Sequence, residues 1–217
     1  MNKNILTRTA VMLLSAGILF TACKKTKTTT TTVVDVKTVT NLMADTITNL
    51  GNATTPPSGA GKFSFYSLER NEAVASSDSA TNKWDIAVRG TTIITNGGNS
   101  GPALGGGFVL SGVFADLKTV PADSSIRTDN APSAYALRSG NGLQWYSYNA
   151  TANLITAVPG RVLIIRTATG KYAKLEILNY YKGGVTPDVT ATDEDKIKKQ
   201  RYYTFRYSFQ PNGTKTF

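Results

Sequence analysis

Aromatic side chains are the groups in this sequence with the widest range of possible chemistry. The chain has ten tyrosines, and Trp145, Tyr146 and Tyr148 stand close together in one short segment. Tyr146 and Tyr148 are two positions apart, so they would face the same side of a β-strand. Tyrosine rings stack on flat ligands, and a phenolate can coordinate ferric iron. The segment therefore predicts either a half-buried structural strand or a ligand-binding platform, and both interpretations stay open.

Histidine is absent from the entire chain, and its absence excludes several classes of function. Serine and cysteine triads need an imidazole base, and histidine-bound zinc and bis-histidine iron sites need imidazole ligands. The sequence also lacks a P-loop, a G-x-S-x-G motif and a G-x-G-x-x-G motif after a strand. The glycines at 105–107 are not followed by the helix that a phosphate loop requires, so we interpret them as a turn.

Carboxylates could provide acid–base catalysis as a pair, but their positions do not favour it. Asp193, Glu194 and Asp195 are consecutive in a lysine-rich segment, which is typical of a solvated charged surface. Asp85 lies in a predicted strand, where we expect it to pair with an arginine such as Arg89. We therefore predict that the protein is not an enzyme.

The elements that must position these residues are predicted to be β-strands, most clearly near the C-terminus. Residues 161–166 predict a strand buried on both faces, 167–170 a turn, and 171–181 the returning strand of a hairpin. Aromatic residues occupy every second position from Tyr203 to Phe209. That period of two predicts a strand with one face in the core and the other in water.

The rest of the chain gives weaker signals of the same kind. Strand patterns occur in residues 63–68, 84–95 and 107–114, and residues 33–50 predict a first strand or a short helix. Six glycines and a proline between residues 96 and 107 predict a mobile or tightly turned loop at the rim of the sheet. We interpret residues 182–200 as a long solvated loop with at most one helical turn.

The N-terminus has the pattern of a secretion signal. Lys3 and Arg8 form a basic region, residues 10–20 are mostly apolar, and Cys23 follows two small residues. The apolar run is shorter than the roughly 20 residues that a membrane-spanning helix needs. We predict a signal peptide over residues 1–22 and lipid attachment to Cys23, which would hold the protein at a membrane. The alternative is an incidental thiol at the end of a cleaved signal.

Domain organisation follows from these patterns. Residues 23–61 are predicted to be a lipidated flexible tether with an N-terminal segment, because residues 24–32 contain no apolar side chain. Residues 62–217 are predicted to form a single antiparallel all-β domain, since there is no repeat and no long amphipathic helix. Cys23 is the only cysteine of the chain, which excludes an internal disulfide framework.

The charge balance is moderately basic. The chain has 24 basic and 14 acidic residues, and removing residues 1–22 removes Lys3 and Arg8, which leaves 22 basic and 14 acidic residues, or +8. Such a bias is usually a matter of solubility, although it could favour an anionic ligand or lipid headgroups. We do not expect a nucleic-acid partner, because an exported protein without a clustered basic face has no surface for one.

Several motifs, taken in their order along the chain, resemble the HmuY family of haem-binding lipoproteins. None is diagnostic alone, but together they are collinear over most of residues 63–210. The matching segments are residues 84–89, 96–107, 108–112, 119–121, 161–166, 170–174 and 203–207.

The resemblance implies an all-β sandwich shaped like a gripping hand, with finger loops that hold the ligand. It also implies a lipid-anchored outer-membrane protein that captures haem or a related tetrapyrrole and passes it to a TonB-dependent receptor. The face of the membrane, cell surface or periplasmic, stays open.

Iron ligation is where this sequence departs from the family's pattern. The best-known members use two histidines on neighbouring fingers, and others use methionines. Here the first finger, residues 127–141, offers only Tyr135 as an aromatic residue, and the second histidine's place falls near Tyr148, with Tyr146 one alternation away. Met43 is the only methionine after residue 22 and lies far from either finger in sequence.

The ligand site that the resemblance implies therefore consists of tyrosines. Tyr148 or Tyr146 would be the axial ligand of haem iron, beside Trp145. Basic residues such as Arg138 would meet the haem propionates.

Two other functions remain open at this point. A domain of the same fold could bind another ligand, such as a siderophore, a glycan or a protein partner. A purely structural envelope lipoprotein held in a complex is the third interpretation. The absence of histidine favours these two, whereas the collinear motifs favour haem.

Overall fold

The computed structural model describes residues 34–52, 54–122, 125–138 and 142–217. The predicted signal peptide, Cys23 with its predicted lipidation, and the apolar-free stretch 24–32 of the predicted tether lie outside the described residues. None of the helices in the described ranges has the length and apolar character that a membrane span needs.

The described residues form mainly antiparallel β-structure, which confirms the predicted fold class. One short helix, α1 (Asp193–Lys199), precedes the last strand. The strands are β1 (Val36–Met43), β2 (Ile47–Asn49), β3 (Ser58–Gly59), β4 (Ser64–Ser67), β5 (Glu72–Val74), β6 (Ile86–Arg89), β7 (Thr92–Thr95), β8 (Gly106–Ser111), β9 (Tyr146–Asn149), β10 (Leu154–Ala157), β11 (Arg161–Arg166), β12 (Tyr172–Tyr181) and β13 (Gln200–Gln210).

The largest sheet has five strands in the order β1-β13-β12-β11-β8, all antiparallel. Its centre is the predicted C-terminal hairpin, in which Leu163 of β11 lies opposite Leu175 of β12. A second sheet has four strands in the order β5-β4-β6-β7, and β2–β3 and β9–β10 form separate two-stranded sheets. The described part of the segment 33–50 thus contains strands β1 and β2 and no helix.

The main core lies between the five-stranded and four-stranded sheets. Tyr66 of β4 and Phe205 of β13 meet edge to face, with ring centroids 5.6 Å apart. Tyr203, Phe205 and Tyr207 are buried on this face of β13, as the alternation predicts. Burial of such large side chains is the main source of stability in a domain of this kind.

The opposite face of β13 is not in water, and that part of the prediction is wrong. Ser208 is buried there, although its neighbours on this face are polar. The reason is a second hydrophobic cluster built around Phe114, which covers this face of the sheet. Lys174 of β12 is buried below it, where its ammonium group donates to the carbonyl oxygens of Phe114 (2.9 Å) and Leu117 (2.8 Å).

The charged run near residue 195 is more ordered than the predicted solvated loop. It forms the two turns of α1, whose first turn contains the acidic residues. The side chain of Thr192 caps the helix by accepting a hydrogen bond from the Asp195 amide (3.2 Å). Lys196 and Ile197 are buried, so one side of the helix belongs to the fold.

The glycine-rich segment 96–107 links β7 of one sheet to β8 of the other and is tightly turned. The Gly105 amide donates to the carbonyl of Asn96 at 2.7 Å. A Cβ atom at Gly97 would lie 2.0 Å from the Gly105 carbonyl oxygen, so this close approach requires glycine. The buried side chain of Asn96 donates to the carbonyls of Trp84 (2.7 Å) and Thr81 (2.9 Å).

Asp85 does not pair with Arg89, contrary to the prediction. Its carboxylate accepts hydrogen bonds from the amides of Leu68 (2.7 Å), Ala168 (2.9 Å) and Glu69 (3.2 Å). Asp85 directly precedes β6 and Arg89 ends it, so the two residues lie about 13 Å apart along the strand. The Arg89 guanidinium lies 4.4 Å from the centroid of the Phe63 ring instead. Asp85 therefore links the turn after β4 to the turn between β11 and β12.

The same junction contains Glu69, whose carboxylate accepts hydrogen bonds from Thr169, from Thr167 (2.7 Å) and from Lys171 (3.2 Å). Burial alone would raise the pKa of Glu69, but these three hydrogen bonds and the Lys171 charge outweigh it and lower the pKa. A lowered carboxyl pKa adds stability above the ordinary glutamate pKa, and that stability is lost as the pH falls through the lowered value.

We therefore expect Glu69→Gln to make the free energy of unfolding less dependent on pH below neutral pH. The variant should lose about 1 kcal/mol of unfolding free energy at neutral pH and progressively less as the pH falls. Urea unfolding between about pH 7 and about pH 3 measures both profiles. Parallel curves for the wild type and the variant would contradict the assigned role.

Candidate functional site

The predicted aromatic segment forms β9, the first strand of a two-stranded hairpin. In this hairpin Tyr146 lies opposite Ala157 and Tyr148 opposite Ile155. The turn between β9 and β10 is closed by the Asn149 side chain, which accepts a hydrogen bond from the Ala152 amide (3.0 Å). The next residue, Asn153, has a φ of +49°, a left-handed conformation that asparagine tolerates better than most residues.

Two polar contacts hold this hairpin against the main sheet. The Ile155 amide donates to the phenol oxygen of Tyr181 on β12 at 2.9 Å. The ammonium group of Lys196 on α1 donates to the carbonyl oxygens of Ala152 (2.8 Å) and Val189 (2.9 Å). An isolated two-stranded hairpin is marginally stable in water, so these contacts define where β9 lies.

Trp145 supports the hairpin from inside the core. The indole is buried, and its ring nitrogen donates to the Thr91 carbonyl at 3.1 Å. Its ring centroid lies 5.0 Å from that of Tyr146, 5.1 Å from Tyr203 and 5.7 Å from Tyr180. Burial raises the pKa of both Tyr203 and Tyr180, so these phenols stay neutral.

The two tyrosines of β9 have different environments. Tyr146 is half-buried because its ring packs against Trp145. Tyr148 is 55% exposed, and its phenol donates to the side-chain oxygen of Asn153 at 3.0 Å. All ten tyrosines of the chain lie within the described ranges, and Tyr148 is the only exposed one. It is therefore the tyrosine most open to a ligand.

The remaining predicted site residues lie on the segment before the hairpin. Tyr135 is half-buried and packs against the cluster of Trp84, which is separate from the cluster that contains Trp145. Arg138 is exposed at the end of the described range 125–138. The structure thus groups Trp145, Tyr146 and Tyr148, while Tyr135 belongs to a different cluster.

A groove of about 500 Å³ lies beside the β9–β10 turn, and sequence reasoning missed it. Asn153, the hydrogen-bond partner of Tyr148, lines this groove together with Leu50, Asn52 and Pro57 from the β2–β3 loop and the first turn of α1. Its volume is within the range of small-molecule sites, and its lining combines apolar side chains with amides and carboxylates. Three distant segments form it, so no local pattern could reveal it.

Met43 lines a smaller adjoining groove of about 200 Å³. It lies opposite Tyr202 in the β1–β13 pairing and is 41% exposed. Leu50 lines both grooves, so the methionine that is distant from the hairpin in sequence lies on a neighbouring surface.

Fold and site together define an all-β scaffold with an aromatic hairpin beside a groove. Within the described residues there is no group of three or more histidine, cysteine, aspartate or glutamate side chains that could hold a metal ion. Such an arrangement is typical of a ligand-binding domain.

Comparison with known protein families identifies the scaffold. The model of the family described as HmuY protein matches residues 60–207, so the chain belongs to the HmuY family. This result confirms the resemblance seen in the sequence. No curated protein matches the chain significantly.

The solved structures that match this chain at low sequence identity include three proteins of related description. They are a candidate HmuY-like heme-binding protein of Bacteroides vulgatus (15% identity, TM-score 0.43, 79% of this chain and 90% of that chain), the apo HmuY analogue of Tannerella forsythia (15%, 0.43, 82% and 96%), and a candidate lipoprotein of Bacteroides fragilis (16%, 0.42, 81% and 90%).

Proposed function

We propose that this protein is a lipid-anchored envelope protein that captures haem or a related tetrapyrrole for uptake through a TonB-dependent receptor. Membership of the HmuY family supports a binding role. The observation that carries the proposal is Tyr148, the one exposed phenol of the chain, whose hydrogen-bond partner lines a groove of about 500 Å³. The lipid on Cys23 and the outer-membrane location are parts of the same proposal.

Tyr148 is the residue that would hold haem, through its phenol oxygen. A phenolate is an established ligand of ferric haem iron, and bound haem would supply that iron as the electron-pair acceptor. Tyr148 can leave its hydrogen bond to Asn153 at small cost because this bond is exposed to water. Tyr146 is a weaker candidate, since its ring is half-buried against Trp145.

Charge in the groove limits how such a ligand would lie. Asp193 and Glu194 line it, and both side chains are largely exposed. Like charges repel, so the propionates of haem would point away from α1. Exposed cations elsewhere, with Arg138 as the predicted one, would then meet them. Apolar contact with the porphyrin would come from groove residues such as Leu50 and Ile197.

A second candidate function is the binding of a polar ligand such as a glycan or a siderophore. The groove's amide and carboxylate side chains favour it, because Asn52, Asn153 and Asp193 could hydrogen-bond to hydroxyl groups.

Titration with ferric haem tests the proposal. Purified protein from Lys24 onwards should shift the Soret band of haem and saturate at one equivalent. A spectrum identical to that of free haem at every ratio would reject haem capture and leave the polar ligand as the better candidate.

A further inference from the structure

Two Asn-Gly dipeptides lie wholly within the described residues, at 96–97 and at 212–213, and their environments are opposite. An asparagine before a glycine is prone to lose ammonia spontaneously, because glycine has no side chain that obstructs the reaction. The amide nitrogen of the glycine attacks Cγ of the asparagine. The reactivity of each dipeptide therefore depends on how the fold holds these two atoms.

The first dipeptide is held in an unreactive arrangement. Asn96 is fully buried, and its side-chain nitrogen donates to the carbonyl oxygens of Thr81 (2.9 Å) and Trp84 (2.7 Å). The Gly97 amide donates to the carbonyl oxygen of Thr95 at 2.8 Å. The nitrogen that would leave and the nitrogen that would attack are thus both engaged, and burial keeps water away from them.

The second dipeptide is open to the reaction. Asn212 and Gly213 are exposed in the turn that follows β13, and a Cβ atom at Gly213 would meet nothing within 4 Å. The Thr214 amide donates to the side-chain oxygen of Asn212 at 2.8 Å. Negative charge develops on that oxygen when Cγ is attacked, so a donor in this position lowers the barrier. Water, which completes the reaction, has access to the turn.

We infer that Asn212 is a site of spontaneous deamidation in the folded protein and that its isoaspartate product loosens the adjacent chain. The Gly213 amide loses its proton to solvent, and its nitrogen bonds to Cγ of Asn212. The side-chain nitrogen takes up a proton from solvent and leaves as ammonia, which gives a cyclic imide. Water then opens the imide. Cleavage of the new bond gives aspartate, whereas cleavage of the original peptide bond gives isoaspartate, whose main chain contains an additional carbon.

The chain after this turn is held by pairing with a distant segment. The Val120 amide donates to the Lys215 carbonyl oxygen (2.7 Å), and the Phe217 amide donates to the Lys118 carbonyl oxygen (2.8 Å). Val120 belongs to the second hydrophobic cluster, and Phe217 packs against that cluster. The turn before residues 214–217 sets the register of this pairing. An additional main-chain carbon in the turn should therefore weaken both hydrogen bonds and let this segment open more often.

Ageing of the chain from Lys24 onwards at mildly alkaline pH, without ligand, tests the reaction. That chain contains every described strand and all three hydrophobic clusters. Trypsin cleaves after Arg206 and Lys215, and Asn212 is the only asparagine in the resulting peptide. Mass spectrometry of the peptides measures deamidation at each site, and an unaged sample digested in parallel corrects for reaction during digestion.

In the folded protein, Asn212 should deamidate at least about tenfold faster than Asn96, because Asn96 must first open to solvent. In urea the two sites should react at similar rates, since each is an asparagine before a glycine. Equal rates at the two sites in the folded protein overturn the inference. Deamidation of Asn212 in urea alone overturns it as well.

Hydrogen exchange tests the structural consequence. Aged protein enriched in isoaspartate should exchange the amide hydrogens of Val120 and Phe217 at least about tenfold faster than fresh protein. Asn212→Asp is the matched control, because it adds the same charge with an ordinary main chain, and it should exchange like the fresh wild type. Asn212→Gln, whose longer side chain cyclises poorly, should not change with age. Equal exchange in aged and fresh wild type, or fast exchange in Asn212→Asp, overturns the loosening by isoaspartate.

Discussion

Replacing Asp85 with alanine should lower the free energy of unfolding by about 3–5 kcal/mol, a large part of the 5–15 kcal/mol typical of a domain. Asp85 is 2% exposed, and its carboxylate is the acceptor for three backbone amides and the Ser67 hydroxyl. Alanine leaves those donors buried without acceptors, and each loss costs roughly 1–3 kcal/mol. Urea unfolding followed by tryptophan fluorescence measures the difference.

Asp85→Asn is the matched control because it keeps the shape and one acceptor oxygen. One carboxylate oxygen of Asp85 accepts from Leu68, Glu69 and Ser67, whereas the other accepts from Ala168 alone. An asparagine with its oxygen in the first position loses only the Ala168 bond, so we expect a cost of about 1–2 kcal/mol. If both variants cost the same, or alanine costs less than about 1 kcal/mol, the junction is not a source of stability.

Ionisation of Asp85 changes the free energy of unfolding with pH in the direction opposite to ionisation of Glu69. Burial raises the pKa of Asp85, and the amide hydrogen bonds offset only part of that effect. A raised pKa means that the pH-dependent part of its contribution is full below the ordinary aspartate pKa and is lost as the pH rises through the raised value, whereas the hydrogen bonds that the carboxylate accepts remain at neutral pH. Asp85 therefore does not contribute to acid unfolding.

Local sequence patterns predicted the strands of the main sheet because those strands depend on local periodicity. β11 is a run of apolar residues between two arginines, and β13 alternates aromatic and polar side chains. The polar face of β13 could not be predicted to be buried, since the cluster of Phe114 that covers it lies about 90 residues away in sequence. The partners of Asp85 were missed for the same reason, because Ala168 is 83 residues away.

At the candidate site too, local spacing predicted some features, whereas contacts between distant segments of the chain determine the others. Spacing predicted that Tyr146 and Tyr148 share a strand, and they do lie together on β9. Which of them is exposed depends on Trp145 and on contacts from β12 and α1, which periodicity does not encode. The charged run was predicted to be solvated, yet Lys196 is buried because its ammonium group binds two carbonyl oxygens of nearby turns.

Because Tyr148 is exposed and Tyr146 is half-buried, we expect a large effect on haem binding from a substitution at Tyr148. Tyr148→Phe should abolish the spectral signature of phenolate-bound ferric haem and weaken haem binding at least tenfold, which is about 1.4 kcal/mol. Phenylalanine keeps the ring but has no oxygen to donate to iron. The variant also loses the 3.0 Å hydrogen bond to Asn153, but this bond is exposed to water, so the fold should be unaffected.

Tyr146→Phe is the matched control, because it removes one phenol oxygen from the same strand at a half-buried position. We expect it to retain the signature of the wild type. Metal-free protoporphyrin separates iron ligation from ring stacking: it should bind the wild type and Tyr148→Phe equally, because neither can form a phenolate–iron bond with it. A signature that survives in Tyr148→Phe, or that disappears equally in Tyr146→Phe, would show that Tyr148 is not the ligand.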